Sequence, residues 1–435
     1  MARCGSVHRA ADGVKSWITG SRLLQFLAKK SWLLLFVLGA YPFIDFVTRR
    51  FSESPGGLAG TWDELCLLLG LSLIAARALY NGFESYRLSE VHLPLLVYYG
   101  VFLFLFFLRS PETAVGIEGV RVYLEYVLWF FVGLNLPDSY RQVKSFTGFF
   151  VLVCAAVALY GIGQYAAGVP VPQNWLDQAE AGVRTRAFSV IGSPNVLGSL
   201  LALALPMSIA GFYTGGSRLS RTGYAVASAA MSVCLVVTFS RGAWFAAFLG
   251  LALFAVLVRP RLLWGLGATV LLAPVVSPGI AGRLLYLFSA SYLASSERSG
   301  RIARWQAALQ KLQQHPVSGE GFGRFGGAVA TRAIPGSFYV DNFYLKTAAE
   351  GGVLALLTLL WVLFSAWRAG YRAVTVLSRP AVKTLAAAYL GGLTAVLLHN
   401  AVENIFETPL MSTLFWLFLG LLLALPRLAS ERWEV

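Results

Sequence analysis

Long apolar runs recur along this chain and restrict the folds that it can adopt. A helix needs roughly 20 apolar residues to cross a hydrocarbon core about 30 Å thick. Hydrophobic residues make up 57% of the 435-residue chain and charged residues only 13%, a composition typical of a polytopic membrane protein. Runs of membrane-spanning length are centred near residues 32–48, 62–79, 92–108, 117–136, 145–166, 195–213, 223–239, 243–258, 262–280, 343–366, 384–404 and 408–425. The sequence therefore predicts an all-α membrane protein with about 12 transmembrane helices.

The distribution of lysine and arginine predicts which side of the membrane each loop faces. With the N-terminus placed in the cytosol, the inner segments hold 20 of the 35 basic residues, whereas the short outer loops hold six. Cytosolic loops of membrane proteins carry such an excess. The net charge of +14 is thereby explained without a nucleic-acid partner. The predicted divisions of the chain are a cytosolic membrane-surface segment 1–30, spans one to nine in 31–282, an extracytoplasmic loop 283–342, spans ten to twelve in 343–426 and a cytosolic tail 427–435.

The extracytoplasmic loop 283–342 is the one long polar segment of the sequence, and we expect the chemistry there. Its beginning, 283–295, is apolar but too short to span a membrane, which favours an interfacial location. Residues 299–314 predict an amphipathic helix that His315 and Pro316 terminate. Its apolar positions are Ile302, Trp305, Leu309 and Leu312, and its basic positions are Arg301, Arg304 and Lys311. One face of this helix can therefore dock on the bundle of spans, while the neighbouring face is basic.

Arginines near the predicted outer surface are candidates for binding an anion. Arg184 and Arg186 precede Asn195, which follows a proline at the start of the sixth span. The free N–H groups and the dipole at a helix start favour a negative charge, and arginine can grip a diphosphate with two hydrogen bonds. A solvated loop with an ordinary helix cap is the alternative. Arg241, at a tight turn between two spans, is a further candidate, and its alternative role is to reach lipid headgroups.

A second group of candidates lies in the extracytoplasmic loop. Arg301 and Arg304 lie on the basic face of the predicted helix, and a glycine turn that includes Gly321 lets the backbone approach a ligand. A solvated amphipathic helix is the simpler explanation for that face. Asp341, at the membrane surface, can act as a general base, or it can cap the following helix. Apolar neighbours would raise its pKa and arginines would lower it.

Polar residues continue into the tenth span and reappear after the eleventh. Asn342, Lys346 and Glu350 are spaced i, i+4, i+8, so they share one helix face, and charges within a span usually face the bundle interior. Tyr344, beside this face, and Asn342 are predicted to contact the substrate. The residues predicted to support the site without touching the substrate are Glu350, Lys346, His315 and Glu403.

Motifs for using cytosolic nucleotides or metal ions are absent from the sequence. It has no Walker loop, no nucleotide-sugar fingerprint and no acidic pair spaced like the metal-binding DxD of many glycosyltransferases. A reaction outside the cytosol must therefore use a donor that is already activated and already in the membrane. A lipid diphosphate meets this requirement, and clustered arginines can stabilise its departing diphosphate without a metal. We therefore expect neither a cofactor nor a metal ion.

Four longer motifs occur in a characteristic order. They are RAFSVIGSPNVLGSLLALALPM at Arg186–Met207, TFSRGAW at Thr238–Trp244, RIARWQAALQKLQQHPVSGEGFGRF at Arg301–Phe325 and DNFYLKTAAEGGVLALL at Asp341–Leu357. As a set they resemble the O-antigen ligase and polymerase superfamily. The resemblance implies an inverting, metal-independent glycosyltransferase of the GT-C type in a bacterial inner membrane, which uses a polyprenyl diphosphate-linked glycan at the extracytoplasmic face. It also implies that Arg186, Arg301 and Arg304 hold the diphosphate.

The residue at position 341 separates two activities within this superfamily. Family ligases that act on lipid A-core have a histidine where this chain has Asp341, so we expect a polysaccharide polymerase of the Wzy type first and an O-antigen ligase second. Candidate protein partners are a chain-length regulator and a flippase. A transporter of lipid-linked glycan is less expected, because the two halves show no repeat and the charges cluster at one surface. A catalytically inert assembly partner is the remaining alternative.

Overall fold

The described part of the chain is helical throughout. In the computed structural model it comprises residues 30–51, 61–170, 185–276, 300–430 and a few positions between 281 and 298. Within these residues the only β-structure is an isolated bridge between Pro170 and Thr185, so the predicted all-α class is confirmed. Numbered in chain order, the helices are α1 (Leu34–Gly39), α2 (Tyr41–Phe51), α3 (Trp62–Asn81), α4 (His92–Leu108), α5 (Thr113–Leu124), α6 (Trp129–Asn135), α7 (Tyr140–Ala166), α8 (Pro194–Thr214), α9 (Arg218–Val237), α10 (Arg241–Val258), α11 (Leu262–Val276), α12 (Arg301–Gln314), α13 (Ala328–Ala333), α14 (Phe343–Val376), α15 (Pro380–His399) and α16 (Pro409–Ser430).

Seven of the described helices are long and apolar enough to cross a membrane, namely α7, α8, α9, α10, α14, α15 and α16. Ser31–Gly39 and Tyr41–Arg50 form a pair bent by 66° and add an eighth span if the pair crosses as one. The polytopic architecture is therefore confirmed, but the count of about 12 spans is not. Helices α4 and α11 have only 17 and 15 residues. The run near 117–136 is divided into α5, a 3-10 turn and α6, and α3 carries both acidic and basic residues.

Small residues let the central helices approach one another closely. A methyl group added at Gly250 of α10 would lie 2.4 Å from the carbonyl oxygen of Gly391 in α15. One added at Gly392 would lie 2.4 Å from the carbonyl oxygen of Leu203 in α8. Because lipid tails are as apolar as leucine, helices in a membrane associate through such close packing. Glycines of α15 therefore bring α8 and α10 together around it, and the start of α8, the start of α10 and the end of α15 meet.

The polar loop that precedes α14 is tied to a break inside that helix. Gly352 has a left-handed backbone, φ +71°, which interrupts α14 and frees the carbonyl oxygens of the preceding turn. The N–H groups of Glu320 and Gly321 donate to the carbonyls of Ala349 and Glu350, at 2.8 and 2.9 Å. On the far side of the break, the N–H of Val353 donates to the carbonyl of Pro316 in the loop at 2.8 Å. The glycine turn therefore replaces missing helical hydrogen bonds and anchors the loop to the bundle.

Helix α12 lies across the beginning of α14, and its docked face differs from the predicted one. Ala308 is buried, and it packs with Trp305 of the same helix against Leu345 and Ala349 of α14. Leu309, which the apolar spacing placed on the docked face, is 46% exposed. A small residue at the crossing point lets the two helices come close, and this rotates the larger leucine outward. As predicted, the helix ends before His315, which is its C-terminal cap residue.

Candidate active site

Asp341 occupies a strained position immediately before α14. Its backbone is left-handed, φ +53°, which is uncommon for any residue other than glycine. The next residue, Asn342, is the helix cap, since its side-chain oxygen accepts from the N–H of Leu345 at 3.0 Å. The N–H of Asn342 donates to the side chain of Asn404 at 3.0 Å, which fixes this turn to the end of α15. The cap is therefore provided by Asn342, and the carboxylate of Asp341 is left for another role.

Two arginines from α12 contact this carboxylate. The Arg304 guanidinium donates to Oδ2 of Asp341 at 2.8 Å and to the carbonyl of Tyr339 at 3.2 Å. Nε of Arg301 lies 3.8 Å from the same oxygen. Burial raises the pKa of Asp341 above its usual value, and the charges of Arg301 and Arg304 oppose that shift. These three side chains therefore lie together, across a sequence separation that local spacing could not bridge.

Glu403, in the turn after α15, is a second carboxylate at this site. Its Oε2 lies 3.5 Å from the guanidinium of Arg301, so that one arginine bridges Asp341 and Glu403. The side chains of Asp341 and Glu403 are 17% and 13% exposed, so both carboxylates are largely shielded from water. The sequence predicts Glu403 only as a supporting residue. The structure places it in direct contact with the same guanidinium that contacts Asp341.

The start of α8 completes the site from the other side. Ser193 caps this helix, Pro194 is its first residue, and the side-chain amide of Asn195 donates a hydrogen bond to Glu403. Arg186 donates to the Oδ1 of Asn195 at 3.2 Å and to the carbonyl of Thr238 at 2.8 Å. A negative charge is therefore present at the helix start, where the sequence predicts that an anion binds. In this structure the negative group is the protein's own carboxylate.

Electrostatics distinguish the two carboxylates. Burial and the negative charge of Asp341 raise the pKa of Glu403 to about 7. The charges of Arg301 and Arg186 and the hydrogen bond from Asn195 oppose the increase. Asp341 has two arginines within 4 Å, whereas Glu403 has one at 3.5 Å. We name Arg186, Arg301, Arg304, Asp341 and Glu403 the site cluster.

His399 and the start of α10 border the site cluster. His399 is buried at the end of α15, and its Nδ1 has no hydrogen-bond partner among the described residues. A methyl group added at Gly242 would lie 3.1 Å from its Nε2, so Arg241 begins α10 beside the end of α15. The sequence singles out Arg241 for binding, whereas it indicates a structural or supporting role for His399. The available signal is the run of polar residues from His399 to Glu407 in an otherwise apolar chain.

A second charged group lies deeper, within α14. Lys346 and Glu350 are 2% and 0% exposed and form an ion pair at 2.6 Å, so both face the interior as their spacing predicts. Lys346 also lies 3.3 Å from Glu407, and the hydroxyl of Tyr123 donates to Glu350 at 2.8 Å. Glu350 accepts the N–H of Phe325 at 3.1 Å. We name Lys346, Glu350 and Glu407 the lysine cluster, and it holds the loop through backbone N–H groups.

Three other predicted residues, among those that the structure describes, contact the scaffold. The hydroxyl of Tyr344 donates to the carbonyl of Leu397 at 2.8 Å, and Gly321, φ +102°, takes part in the turn against α14. His315 lies 2.8 Å from the guanidinium of Arg109 and 3.8 Å from Glu320. Arg184 lies outside the described residues. These geometries attach Tyr344, Gly321 and His315 to the scaffold around the site.

A comparison with known protein families bears directly on this arrangement. Residues 226–360 match the family model described as O-Antigen ligase. The match covers α12, the glycine turn, Asp341 and the lysine-bearing half of α14, and it supports the O-antigen ligase and polymerase superfamily that the sequence motifs resemble. No curated protein matches the chain.

The site cluster combines properties that suit one kind of ligand. Three arginines and two carboxylates meet where α8 begins, α12 begins and α14 begins, beside the end of a bundle of apolar helices. Arginine clusters recognise phosphate groups, and a shielded carboxylate can accept a proton. Among the described residues, no group of three His, Cys, Asp or Glu side chains is arranged to hold a metal ion. The arrangement therefore suits a lipid-borne anionic substrate with a hydroxyl-bearing second substrate.

Proposed function

We propose that the protein is an integral membrane glycosyltransferase that polymerises polyprenyl diphosphate-linked oligosaccharide repeat units into a surface polysaccharide. The observation that carries the proposal is the Arg301 and Arg304 pair on Asp341, within a region that matches the O-Antigen ligase family model. A donor anchored in the membrane reaches this site from the apolar face of the bundle, and its diphosphate meets the arginines. The reaction is inverting and needs no metal ion, as the superfamily resemblance implies.

In this mechanism Asp341 takes the proton of the acceptor hydroxyl, which attacks the anomeric carbon of the donor. Arg186, Arg301 and Arg304 stabilise the negative charge that develops on the departing diphosphate, the role in which fixed cations contribute most. The strained backbone of Asp341 supports an active-site role, because strain is retained where surrounding structure holds it. Asn342 and Asn404 provide that restraint here.

Donor binding and base strength are coupled by the contacts in the site cluster. Arg304 is hydrogen-bonded to Asp341 at 2.8 Å and Arg301 lies within 4 Å of it. A diphosphate that draws these guanidinium groups toward itself weakens the interactions that favour the ionised carboxylate. The basicity of Asp341 then rises when the donor is in place. This coupling restrains the carboxylate until the leaving group is bound.

Transfer of glycan to a non-glycan acceptor, as in an O-antigen ligase, is the second candidate function. The description of the matching family model favours it. The carboxylate at position 341, where superfamily ligases that act on lipid A-core carry histidine, favours the polymerase. One preparation of lipid-linked repeat units separates the two. A polymerase converts it to longer lipid-linked chains without any other acceptor, whereas a ligase leaves it unchanged until a second acceptor is added.

The membrane setting is part of the proposal. We place both termini in the cytosol and the 283–342 loop at the extracytoplasmic face of a bacterial inner membrane, because of the bias of basic residues toward the inner segments. A flippase would deliver the donor to that face, and a chain-length regulator would end elongation. Cysteine labelling at position 332, in the loop, from outside intact spheroplasts tests the orientation. Labelling only after membrane permeabilisation would contradict it.

The arginine contacts provide the test of the mechanism. Arg304→Ala is expected to lower transfer from a defined polyprenyl diphosphate glycan by roughly 10²-fold or more, since a stabiliser of the leaving group is lost. Arg304→Lys keeps the positive charge but loses the two-point contact of a guanidinium. Its transfer rate should therefore lie between those of Arg304→Ala and the wild type. Arg332→Ala is the matched control, because Arg332 lies on the same loop, is 69% exposed and pairs with Glu118. Equal rates for Arg304→Ala and Arg332→Ala would refute the assignment.

A further inference from the structure

Two carboxylates converge on one guanidinium in the site cluster. Arg301 contacts Oδ2 of Asp341 at 3.8 Å and Oε2 of Glu403 at 3.5 Å. Oδ2 of Asp341 also accepts from Arg304, and Oε2 of Glu403 also accepts from Asn195. Within the described part of the chain, the second oxygen of each carboxylate makes no hydrogen bond. Each carboxylate is therefore held through one oxygen, and its other oxygen is available to accept a proton.

We propose that Glu403 is a second catalytic carboxylate, which shares with Asp341 the proton taken from the acceptor hydroxyl. The inference rests on the proposed glycosyl transfer and assigns one of its residues. Its basis is the geometry of the pair: the two carboxylates converge on Arg301 from separate segments, one before α14 and one after α15. Asn195, at the start of α8, fixes Glu403 in place.

The contacts of Asp341 explain why a second carboxylate is useful. Arg304 holds Asp341 at 2.8 Å and Arg301 adds a second positive charge, and both oppose the increase in the pKa of Asp341 that burial causes. Glu403 has a single arginine at 3.5 Å and feels the negative charge of Asp341. A general base is most effective when its pKa is close to the working pH, and the pKa of Glu403 is raised to about 7.

The surroundings of Glu403 include other groups that carry or can carry charge. On the elements packed around it, these are Arg301 of α12, Asp341 before α14, Arg186 before α8, His399 at the end of α15 and Arg241 at the start of α10. Because Asp341 and Glu403 are like charges on one cation, the pair titrates as a unit and retains a proton more readily than either carboxylate alone. The carboxylate pair can therefore hold one acceptor proton per transfer.

The proposed step conserves atoms and electrons. The O–H bond of the acceptor breaks, and its proton passes to Oε1 of Glu403 or to Oδ1 of Asp341. The electron pair of the acceptor oxygen forms the new bond to the anomeric carbon on the face opposite the diphosphate. The anomeric C–O bond breaks, and its electron pair leaves on the diphosphate, whose added negative charge faces Arg186, Arg301 and Arg304. Loss of the proton from the carboxylate pair to water restores the site.

The test is the pH dependence of kcat/KM for purified protein with a defined polyprenyl diphosphate glycan. The wild type should gain activity as pH rises toward about 7, where Glu403 ionises. Glu403→Gln keeps an oxygen for the Asn195 hydrogen bond but cannot accept a proton, so it should lose roughly 10²-fold in rate and lose that rise. Glu403→Asp should keep the increase of activity with pH, although its maximal rate should be lower. Asp341→Asn should move the rise to lower pH, since it removes the charge that raises the Glu403 pKa.

Controls separate this inference from the proposed function. Glu118→Gln is the matched variant, because Glu118 pairs with Arg332 in a 58% exposed position away from the site cluster, and it should behave as the wild type. A wild-type protein that transfers no glycan contradicts the proposed function itself. Transfer by Glu403→Gln with the wild-type pH profile overturns only the inference, whatever its rate. Recovery of the profile in Glu403→Asp excludes a purely structural effect of the glutamine.

Discussion

Replacement of Lys346 by methionine tests whether the lysine cluster stabilises the fold. Methionine matches the length of lysine but removes the cation that lies 2.6 Å from Glu350 and 3.3 Å from Glu407. Both carboxylates are almost fully buried, at 0% and 4% exposure. Breaking a buried ion pair by removing one partner typically costs about 3–5 kcal/mol. That cost is a large part of the roughly 5–15 kcal/mol by which a typical folded protein is stable.

The hydrogen bonds that remain keep the expected loss within that range. Glu350 retains the Tyr123 hydroxyl at 2.8 Å and the N–H of Phe325 at 3.1 Å. Glu407 retains the N–H of Ala328 at 3.3 Å and the amide of Asn404 at 3.0 Å. Each carboxylate therefore keeps two donors but loses its countercharge. We expect Lys346→Met to be destabilised by about 3–5 kcal/mol.

A double-mutant comparison identifies the electrostatic origin of this loss. Glu350→Gln alone leaves Lys346 paired with Glu407 and should cost about 1–2 kcal/mol. Lys346→Met combined with Glu350→Gln leaves only one unpaired carboxylate, so the double variant should be more stable than Lys346→Met. The unfolding temperatures of the detergent-purified variants give the order of their stabilities. A double variant that unfolds below Lys346→Met, or a Lys346→Met as stable as the wild type, would refute the argument.

Two further perturbations follow from other features of the site. Gly352→Ala places a methyl group 2.2 Å from the carbonyl oxygen of Val317 at a left-handed position, so it should lower the unfolding temperature and the transfer rate; Gly223→Ala, in open space on α9, should do neither. Glu403 binds its proton more tightly in the folded state, so its contribution to stability is complete below about pH 4.5 and is lost as pH rises through about 7. Between these two pH values, the free energy of unfolding should therefore change by about 3 kcal/mol less in Glu403→Gln than in the wild type. An equal change in both proteins would contradict the shifted pKa.

Local sequence patterns predict the parts of the site that lie within one segment. The spacing of Lys346 and Glu350 correctly places both in the interior, and the helix stop at His315 is observed. Of the two roles considered for Asp341, the cap belongs to its neighbour Asn342, and the role of general base stays a prediction. That outcome depends on one backbone angle at Asp341, and Asp and Asn are almost equally good helix caps.

Contacts between distant segments account for what the sequence does not predict. Glu403 meets Arg301 across 102 positions and Asn195 across 208, and no periodicity links such residues. The membrane spans show the same limit. Apolar length predicts α7 to α10 and α14 to α16 as spans, but it does not reveal that the run near 117–136 breaks between α5 and α6. Composition measures how much apolar surface a segment carries, whereas a helix break depends on the contacts made around it.

The most direct test of the central claim is transfer by the purified protein supplied with one polyprenyl diphosphate oligosaccharide as the only glycan. The reaction contains a metal chelator and no nucleotide sugar, and its products are read by mass spectrometry and by the anomeric configuration of the new linkage. We predict longer lipid-linked glycan with an inverted configuration at each new linkage, and one free polyprenyl diphosphate for each linkage formed. Neither product should form with the Asp341→Asn, Glu403→Gln double variant. Absence of transfer to the donor or to any added acceptor, or a retained configuration, would contradict the account.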